Sequence, residues 1–397
     1  MPEAVTDNNV IQIHNAENPT ALQALVQRCT KEDLPIIDYG FAHTNLGHPA
    51  PSKHVKLQQH GQVIEHYEQD LTVRIAAGAT FGHIQAQLRP TNQFLPVDAD
   101  ADLTLGEVIN HNVYGPLRVK YGAARELLLG MRCMDGTGRD IHTGGRTVKN
   151  VSGYDLTRFM VGSLGQMGII YEATMRTYAI PQHILRLTLR IDDPAWLDTH
   201  LSNWLLDVSA PSTLALAYEE EHWTLQIAYF GTTTGCNIQH RALKSFWESS
   251  VPEPQMVQLD QYLDESSQHR AWRRQASTLV KIIVPPATTG STCLDLVSST
   301  RINAALRFDV LPVHGCILVG GDLPAAQAIM LDKQINQIIA QVGGVRQWHA
   351  RPLGTNSIAP FGPAQPDWSI LKKLKDTMDP RALLNRGRFL ETESSLH

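Results

Sequence analysis

The sequence predicts an α+β protein built from two parts and a returning tail. Three observations carry this reading. The chain has 397 residues, which suits two domains or one large domain with a cap. Up to about residue 180, short apolar runs alternate with helical periods and glycine-punctuated loops. After Pro181 the order becomes strand, helix, hairpin, helix, which suits an antiparallel sheet with helices on one face.

The elements follow in order. In "NPTALQALVQRCTKEDLPIIDYG", Asn18 is a helix N-cap, and Ala21, Leu22, Leu25 and Val26 form an apolar face. Leu34 to Ile37 then form a short buried strand. "GFAHTNLGHPAPS" is a loop punctuated by glycine and proline. "LTVRIAAGATFGHIQAQL" reads as strand, turn and helix, and regular pattern returns at Leu105. "ELLLGMRCMDGTGRDIHTG" is two strands joined by the turn Asp135–Gly136, and "YEATMRTYAI" is a strand. Beyond Pro181, "ILRLTLRI" alternates as a strand and "PAWLDTHLSNWLLDV" is an amphipathic helix. "TLALAYEEEHWTLQIAYFG" is a hairpin with an acidic tip. "TLVKIIVP" and "GCILVGG" are strands, "PAAQAIMLDKQINQIIAQV" is a long helix, and "MDPRALLNRGRFL" is basic and turn-rich.

Composition excludes several classes. Hydrophobic residues are 43% and charged residues 18%, which supports a packed core and excludes a disordered chain. A net charge of −5 points away from nucleic acid. The five cysteines, Cys29, Cys133, Cys236, Cys293 and Cys316, show no C-x-x-C spacing, so zinc or iron–sulfur ligation by this chain is not expected. Their odd, sparse distribution suits a reducing compartment. The first residues lack a basic region followed by an apolar core, so no signal peptide is expected. No apolar run approaches the roughly 20 residues of a transmembrane helix. A cytoplasmic protein is expected, with peripheral contact to the inner membrane left to any partners.

Three glycine loops stand out. They are "GFAHTNLG" (Gly40 to Gly47), "LTLGEVINHNVYGP" (Leu103 to Pro116) and "GSLGQMG" (Gly162 to Gly168). Glycines at 162, 165 and 168 would cost a helix roughly 1 kcal/mol each relative to alanine. Glycine allows positive φ and close backbone approach to a ligand, and turn N–H groups bind anions. None of the loops ends in GK[ST] and none is G-x-G-x-x-G, so neither a P-loop nor a Rossmann dinucleotide site is supported. Three separated loops suit one long ligand; spacing alone allows ordinary turns equally well.

The segment from about Leu34 to Ile180 resembles the FAD-binding domain of the vanillyl-alcohol oxidase / para-cresol methylhydroxylase (PCMH) family. The resemblance rests on "LTVRIAAGATFGHIQAQL", on "TLGEVINHN" with "GPLRVKYGAARELLLGM", and above all on "VKNVSGYDLTRFMVGSLGQMGII". "DPRALLNRGRF" resembles the family's closing DP-x-x-x-x-NPG element. The short length, "GGRTVKNVSGYDL" and the modest cap are most similar to the FAD-binding subunits of glycolate oxidases.

The resemblance implies a PCMH-type FAD-binding domain of two α/β subdomains over residues 1–180. It also implies an α+β cap over 181–350 and a tail over 351–397 that returns to the flavin. It places FAD against Gly40, Phe41, Ala42, His43, Thr44, Asn45 and Gly47 in the first loop. Thr104, Leu105, Gly106, Asn110, Asn112 and Gly115 follow in the second. Gly162, Ser163, Gly165, Gly168, Ile169 and Ile170 belong to the third, and Asn385 to the tail. His43 falls where some members bond the flavin 8α-methyl group, so covalent FAD is an option. The family's first loop is richer in glycine than this one, which carries Phe41 and Ala42.

Catalytic residues are not assigned by the resemblance. Lys149 and Ser152 fall where relatives place residues near substrate, and His111 is a candidate base. Arg386 stands where proline is usual, and could hold an anion or the charge of a reduced flavin. His314 has no partner at ligand spacing, so no metal site is expected. Three functions follow. The first is the FAD-binding subunit of a glycolate oxidase-like complex acting on a small 2-hydroxy acid, with a larger flavoprotein subunit and an iron–sulfur subunit. The second is a self-sufficient FAD-dependent oxidase or dehydrogenase of a small alcohol or hydroxy acid. The third is a degenerate, non-catalytic partner.

Overall fold

The computed structural model describes residues 10–14, 19–38, 54–145, 155–247, 252–299 and 306–387. They form two compact units. Unit 1 draws on residues 1–114, 122–179 and 364–397, and unit 2 on 115–121 and 180–363.

Among the described residues, unit 1 holds ten strands. They are β1 (Val10–His14), β2 (Ile36–Asp38), β3 (Val55–His60), β4 (Val63–Tyr67), β5 (Thr72–Ala76), β6 (Gln93–Phe94), β7 (Leu128–Met134), β8 (Asp140–Gly144), β9 (Ile169–Arg176) and β10 (Tyr178–Ala179). A parallel sheet has the order β1-β3-β2, and a five-stranded antiparallel sheet the order β4-β5-β9-β7-β8. β6 pairs with β10. The expected strand, turn and helix of "LTVRIAAGATFGHIQAQL" are β5 and the helix Phe81–Leu88.

β9 is central and buried almost end to end. Ile169 and Tyr171 pack into one core with Leu22, Leu25 and Val26 of the helix Pro19–Glu32 and with Val55 and Leu57 of β3. Ile170, Ala173 and Met175 pack into the other, with Val73, Ile75, Ile84 and Leu105. Its pairing with β7 shifts register between Arg132 and Cys133, a bulge that keeps Ile170 and Ala173 on one face. The carbonyls at the irregularity are satisfied: Gln59 Nε2 donates to Ile170 O at 3.0 Å and Ala77 N to Tyr171 O at 2.9 Å.

Unit 2 holds β11 (His183–Ile191), β12 (Thr213–Glu219), β13 (His222–Gly231), β14 (Gln255–Val257), β15 (Thr278–Ile283), β16 (Arg307–Leu311), β17 (Cys316–Gly321) and β18 (Val345–Ala350). They form one antiparallel sheet in the order β14-β11-β13-β12-β16-β17-β15-β18. Alternation sets its faces. Leu185, Leu187 and Leu189 of β11 join a core with the helices Trp196–Leu206, Thr233–Phe246, Thr289–Ser299 and Ala325–Val342. Arg186, Thr188 and Arg190 point to the opposite face. The hairpin tip is Glu220–Glu221, both at positive φ (50° and 64°), a two-residue turn of the kind that matches strand twist.

Three features differ from the sequence expectation. The cap was expected to end at 350, yet unit 2 runs on to Pro363. Arg351 Nη1 donates to Ile358 O (2.7 Å), Trp348 N donates to Pro360 O (2.8 Å), and Ile358 is buried in the unit 2 core. Residues 115–121 also belong to unit 2, where Lys120 Nζ donates to Phe230 O at 2.9 Å and Tyr121 lies 6.3 Å from the Phe230 ring.

Helices were expected on one face only, but Leu259–Arg270 and Trp272–Gln275 reach the other at Asp309. This carboxylate alternates with the core residues Phe308 and Val310 and is 7% exposed. It accepts from Arg273 Nε (2.6 Å) and Trp272 Nε1 (3.1 Å) and pairs with His269 Nε2 (3.1 Å). A buried carboxylate needs such donors, and they draw the helices there.

Burial by itself raises the Asp309 pKa, but the Arg273 charge and the His269 hydrogen bond outweigh it and hold the group at about 2. An unfolded aspartate titrates near ~3.9. A depressed carboxylate stabilises the fold above its unfolded pKa and loses that contribution as pH falls through its folded value. Urea midpoints of the unit 2 transition should therefore fall between about pH 4 and pH 2, and Asp309→Asn should flatten this fall. An equal acid slope in both proteins would assign the loss elsewhere.

Candidate functional site

The second glycine loop enters the short helix Leu105–Asn110. Thr104 caps it: its Oγ1 accepts from Glu107 N at 3.3 Å, and Glu107 Oε2 accepts from Thr104 N at 2.7 Å. This reciprocal arrangement is a capping box. Two bonds join the helix to the turn after β5, from Leu105 N to Ala79 O (3.0 Å) and from Gly106 N to Ala77 O (2.8 Å). All six helix residues are buried. His111 follows as the half-buried C-cap, and Asn112 then takes a positive φ of 48°.

The third loop lies against this one. Gly162 N donates to Ile109 O at 2.9 Å and Leu164 N to Asn110 O at 3.0 Å. Gly162 and Gly165 have φ of 80° and 65°, a region that costs other residues about 1–2 kcal/mol. Gly168 serves a different end. A Cβ there would stand 3.3 Å from Met134 O and 3.4 Å from Cys133 Sγ, so its constraint is close packing onto β7. Burial pushes the Cys133 thiol up to about 12, which makes it a packing group and no nucleophile. Ile169 and Ile170 then enter β9 with their side chains in the two cores.

Where the loops meet, three polar atoms are shielded from water and make no hydrogen bond among the described residues. They are Asn110 Oδ1, Asn112 Oδ1 and Ser163 Oγ. Asn110 is 2% exposed. A Cβ on Gly162 would lie 3.6 Å from Asn112 Cβ, so the two segments are in contact. A buried polar group without a partner costs about 1–3 kcal/mol, and three in one place mark where a polar ligand would be stabilising.

The tail reaches the same loop. Asn385, with φ of 46° and 2% exposure, donates from Nδ2 to Leu164 O (3.1 Å) and from its backbone N to Ile36 O (2.9 Å). It also accepts at its backbone O from Gln166 Nε2 at 2.5 Å. Leu384 bridges Ile36 of β2, the strand that leads into the first glycine loop. Arg386 turns back on the tail: Nε donates to Ala382 O (2.8 Å), and Nη2 donates to Arg381 O (3.2 Å) and lies 3.7 Å from Asp33. Its donors thus serve the turn.

The structure brings together Thr104, Leu105, Gly106, Asn110 and Asn112 with Gly162, Ser163, Gly165 and Asn385. Gly115 belongs to unit 2. The first loop, Gly40 with Phe41, Ala42, His43, Thr44, Asn45 and Gly47, lies outside the described residues, as do Lys149 and Ser152. Sequence reasoning missed Gln166, Lys375 and Asp379, which tie the tail to the third loop. The available signal was Lys375 four residues before Asp379, just ahead of Pro380. Among the described residues no group of three or more His, Cys, Asp or Glu is placed to hold a metal, and no helix is long and apolar enough to cross a membrane. A cleft of about 250 Å³ opens on the polar face of the unit 2 sheet. Its Arg186 pairs with Glu265 and donates to Gln255 Oε1 at 2.6 Å, so that charge is satisfied within the wall.

Residues 12–144 match the family described as FAD binding domain. The chain is 26% identical over 377 residues to glycolate oxidase subunit GlcE of Escherichia coli (strain K12), covering 93% of this chain and 96% of that one. It is 25% identical over 413 residues to a probable mitochondrial D-lactate dehydrogenase of Danio rerio, covering 93% and 82%. Among solved structures, an alkyldihydroxyacetonephosphate synthase superposes with a TM-score of 0.69 at 16% identity, covering 96% of this chain and 77% of that one, which establishes the fold. The match to an FAD binding domain lies in the N-terminal unit, and with these relatives it makes the chain an FAD-dependent oxidoreductase.

Proposed function

We propose that this chain is the FAD-holding subunit of a glycolate oxidase-like complex that oxidises a small 2-hydroxy acid. The observation that carries the reading is its likeness to subunit GlcE over nearly the whole of both chains. In this reading Asn110, Asn112 and Ser163 hydrogen-bond FAD from the adjoining loops, and Gly162 and Gly165 let backbone approach it. Asn385 fixes the third loop by its bond to Leu164. The first loop, from Gly40 to Gly47, takes the pyrophosphate. The flavin, once bound, supplies a two-electron acceptor. The protein orients it and keeps water from Asn110, whose burial strengthens every hydrogen bond made there.

The hydroxy-acid carboxylate clamp belongs, in this division of labour, to a larger flavoprotein subunit, and an iron–sulfur subunit carries electrons onward. Glycolate-dependent dye reduction should then require co-expressed partners. Turnover by the isolated chain would favour the second reading, a self-sufficient dehydrogenase. That reading draws on the comparable coverage of the D-lactate dehydrogenase relative.

Three further outcomes are expected of the isolated chain. Acid precipitation should release its flavin into the supernatant; a yellow pellet would instead place a covalent bond, with His43 the residue to replace. Asn110→Leu should leave the apo fold as stable or more so, because it removes a buried orphan of similar volume, and should weaken FAD binding about tenfold. Wild-type affinity in that variant would take Asn110 out of the site. Gly165→Val should abolish flavin retention with unit 2 still folded, as read by absorbance and thermal unfolding.

A further inference from the structure

The helix Trp368–Met378 ends on a lysine and an aspartate with unusual partners. Lys375 Nζ donates to Gln166 O (2.8 Å), to Leu384 O (3.1 Å) and to Asp379 Oδ2 (2.5 Å). The two side chains are 14% and 0% exposed. Asp379 in turn accepts from Leu383 N (2.9 Å) and Leu384 N (2.8 Å). One ammonium thus joins the third glycine loop, through Gln166, to the two residues that bridge β2. Charge-assisted bonds of this kind are about twice as strong as neutral ones, and breaking a buried pair leaves an uncompensated charge. The same stretch is anchored from the other side, since Gly136 N donates to Met378 O at 2.8 Å.

β2 leads directly into the first glycine loop, and Gln166 lies inside the third. The returning segment is inserted between them. Ile36 N donates to Leu383 O (2.7 Å) and Asn385 N donates to Ile36 O (2.9 Å), while Gln166 and Leu164 bond Asn385. We propose that Lys375 is a positioning residue for the flavin: with Asp379 it latches the returning segment between β2 and the third loop, and so couples FAD binding to closure of that segment. The proposal rests on FAD occupying unit 1 and needs neither the hydroxy-acid substrate nor the partner subunits. Coupling is reciprocal. If the latch favours FAD, FAD favours the latch, and ligand binding protects the segment from opening.

Two measurements test this on the full chain. The first uses the unmodified protein. Trypsin is added with and without saturating FAD, and cleavage after Lys373 and Arg381 is followed by mass spectrometry, with cleavage after Lys333 in unit 2 as the internal control. Saturating FAD should slow cleavage at the two tail sites at least about tenfold and leave Lys333 unchanged. Equal tail cleavage with and without FAD overturns the proposal. The second compares Lys375→Met and Lys375→Arg by flavin fluorescence titration, with apo stability measured in urea. Lys375→Met should raise the FAD dissociation constant at least about tenfold, and Lys375→Arg should recover most of it. A folded Lys375→Met protein with wild-type affinity overturns the proposal. Should Lys375→Met fail to fold, the protection experiment decides alone. A chain that takes up no FAD at all would instead refute the cofactor assignment, which the titration of the unmodified protein reveals before any variant is made.

Discussion

The burial of β9 on both faces is the constraint around which unit 1 is organised. A strand whose successive residues enter two separate cores cannot slip by one position without exchanging them. Ile169 and Ile170 therefore fix the end of the third glycine loop, and the loop has no freedom to relax along the chain. Its own conformation must then absorb the turn, which is why Gly162, Leu164 and Gly165 all sit at positive φ. The bulge opposite Arg132 and Cys133 belongs to the same solution, because it returns Ala173 to the face that Ile170 occupies. Backbone strain in the loop is thus held in place by hydrophobic burial in the strand that follows it.

The second glycine loop is held by different physics. Its helix is too short to be stable by propensity, at six residues. The Thr104–Glu107 box, two backbone bonds to the turn after β5 and full burial take the place of length. Ile109 O and Asn110 O also accept from the third loop, so backbone hydrogen bonds join the two loops directly.

Much of this could be read in the sequence. The glycine spacing from 162 to 168 and the strand–turn–helix of residues 71–88 are local patterns, and local patterns carry their own physics. The alternation of "ILRLTLRI" gave β11 and its two faces for the same reason. What escaped was decided by distant contacts. Nothing in "GPLRVKY" shows that it packs with Phe230, and nothing in residues 351–363 shows that Ile358 completes the unit 2 core. Lys375 and Asp379 read as an ordinary surface pair four residues apart, because the sequence does not display the carbonyl of Gln166. Gly168 matched a ligand-binding pattern, while its packing against Met134 is a matter of strand proximity.

Unit 1 takes its chain from three stretches, and the last of them lies beyond the whole of unit 2. This order has a consequence for biosynthesis. While unit 2 is being translated, Ile36 lacks its partners Leu383 and Asn385, and β2 has only β3 beside it. The flavin domain is left open during that interval, with Leu164 O and Gln166 still waiting for the tail. Domains usually fold as the ribosome delivers them, the N-terminal one first. Here the first unit to emerge is the last to be completed, and a premature stop anywhere in unit 2 yields a chain that lacks residues 364–397 and with them the tail bonds to Ile36 and Leu164.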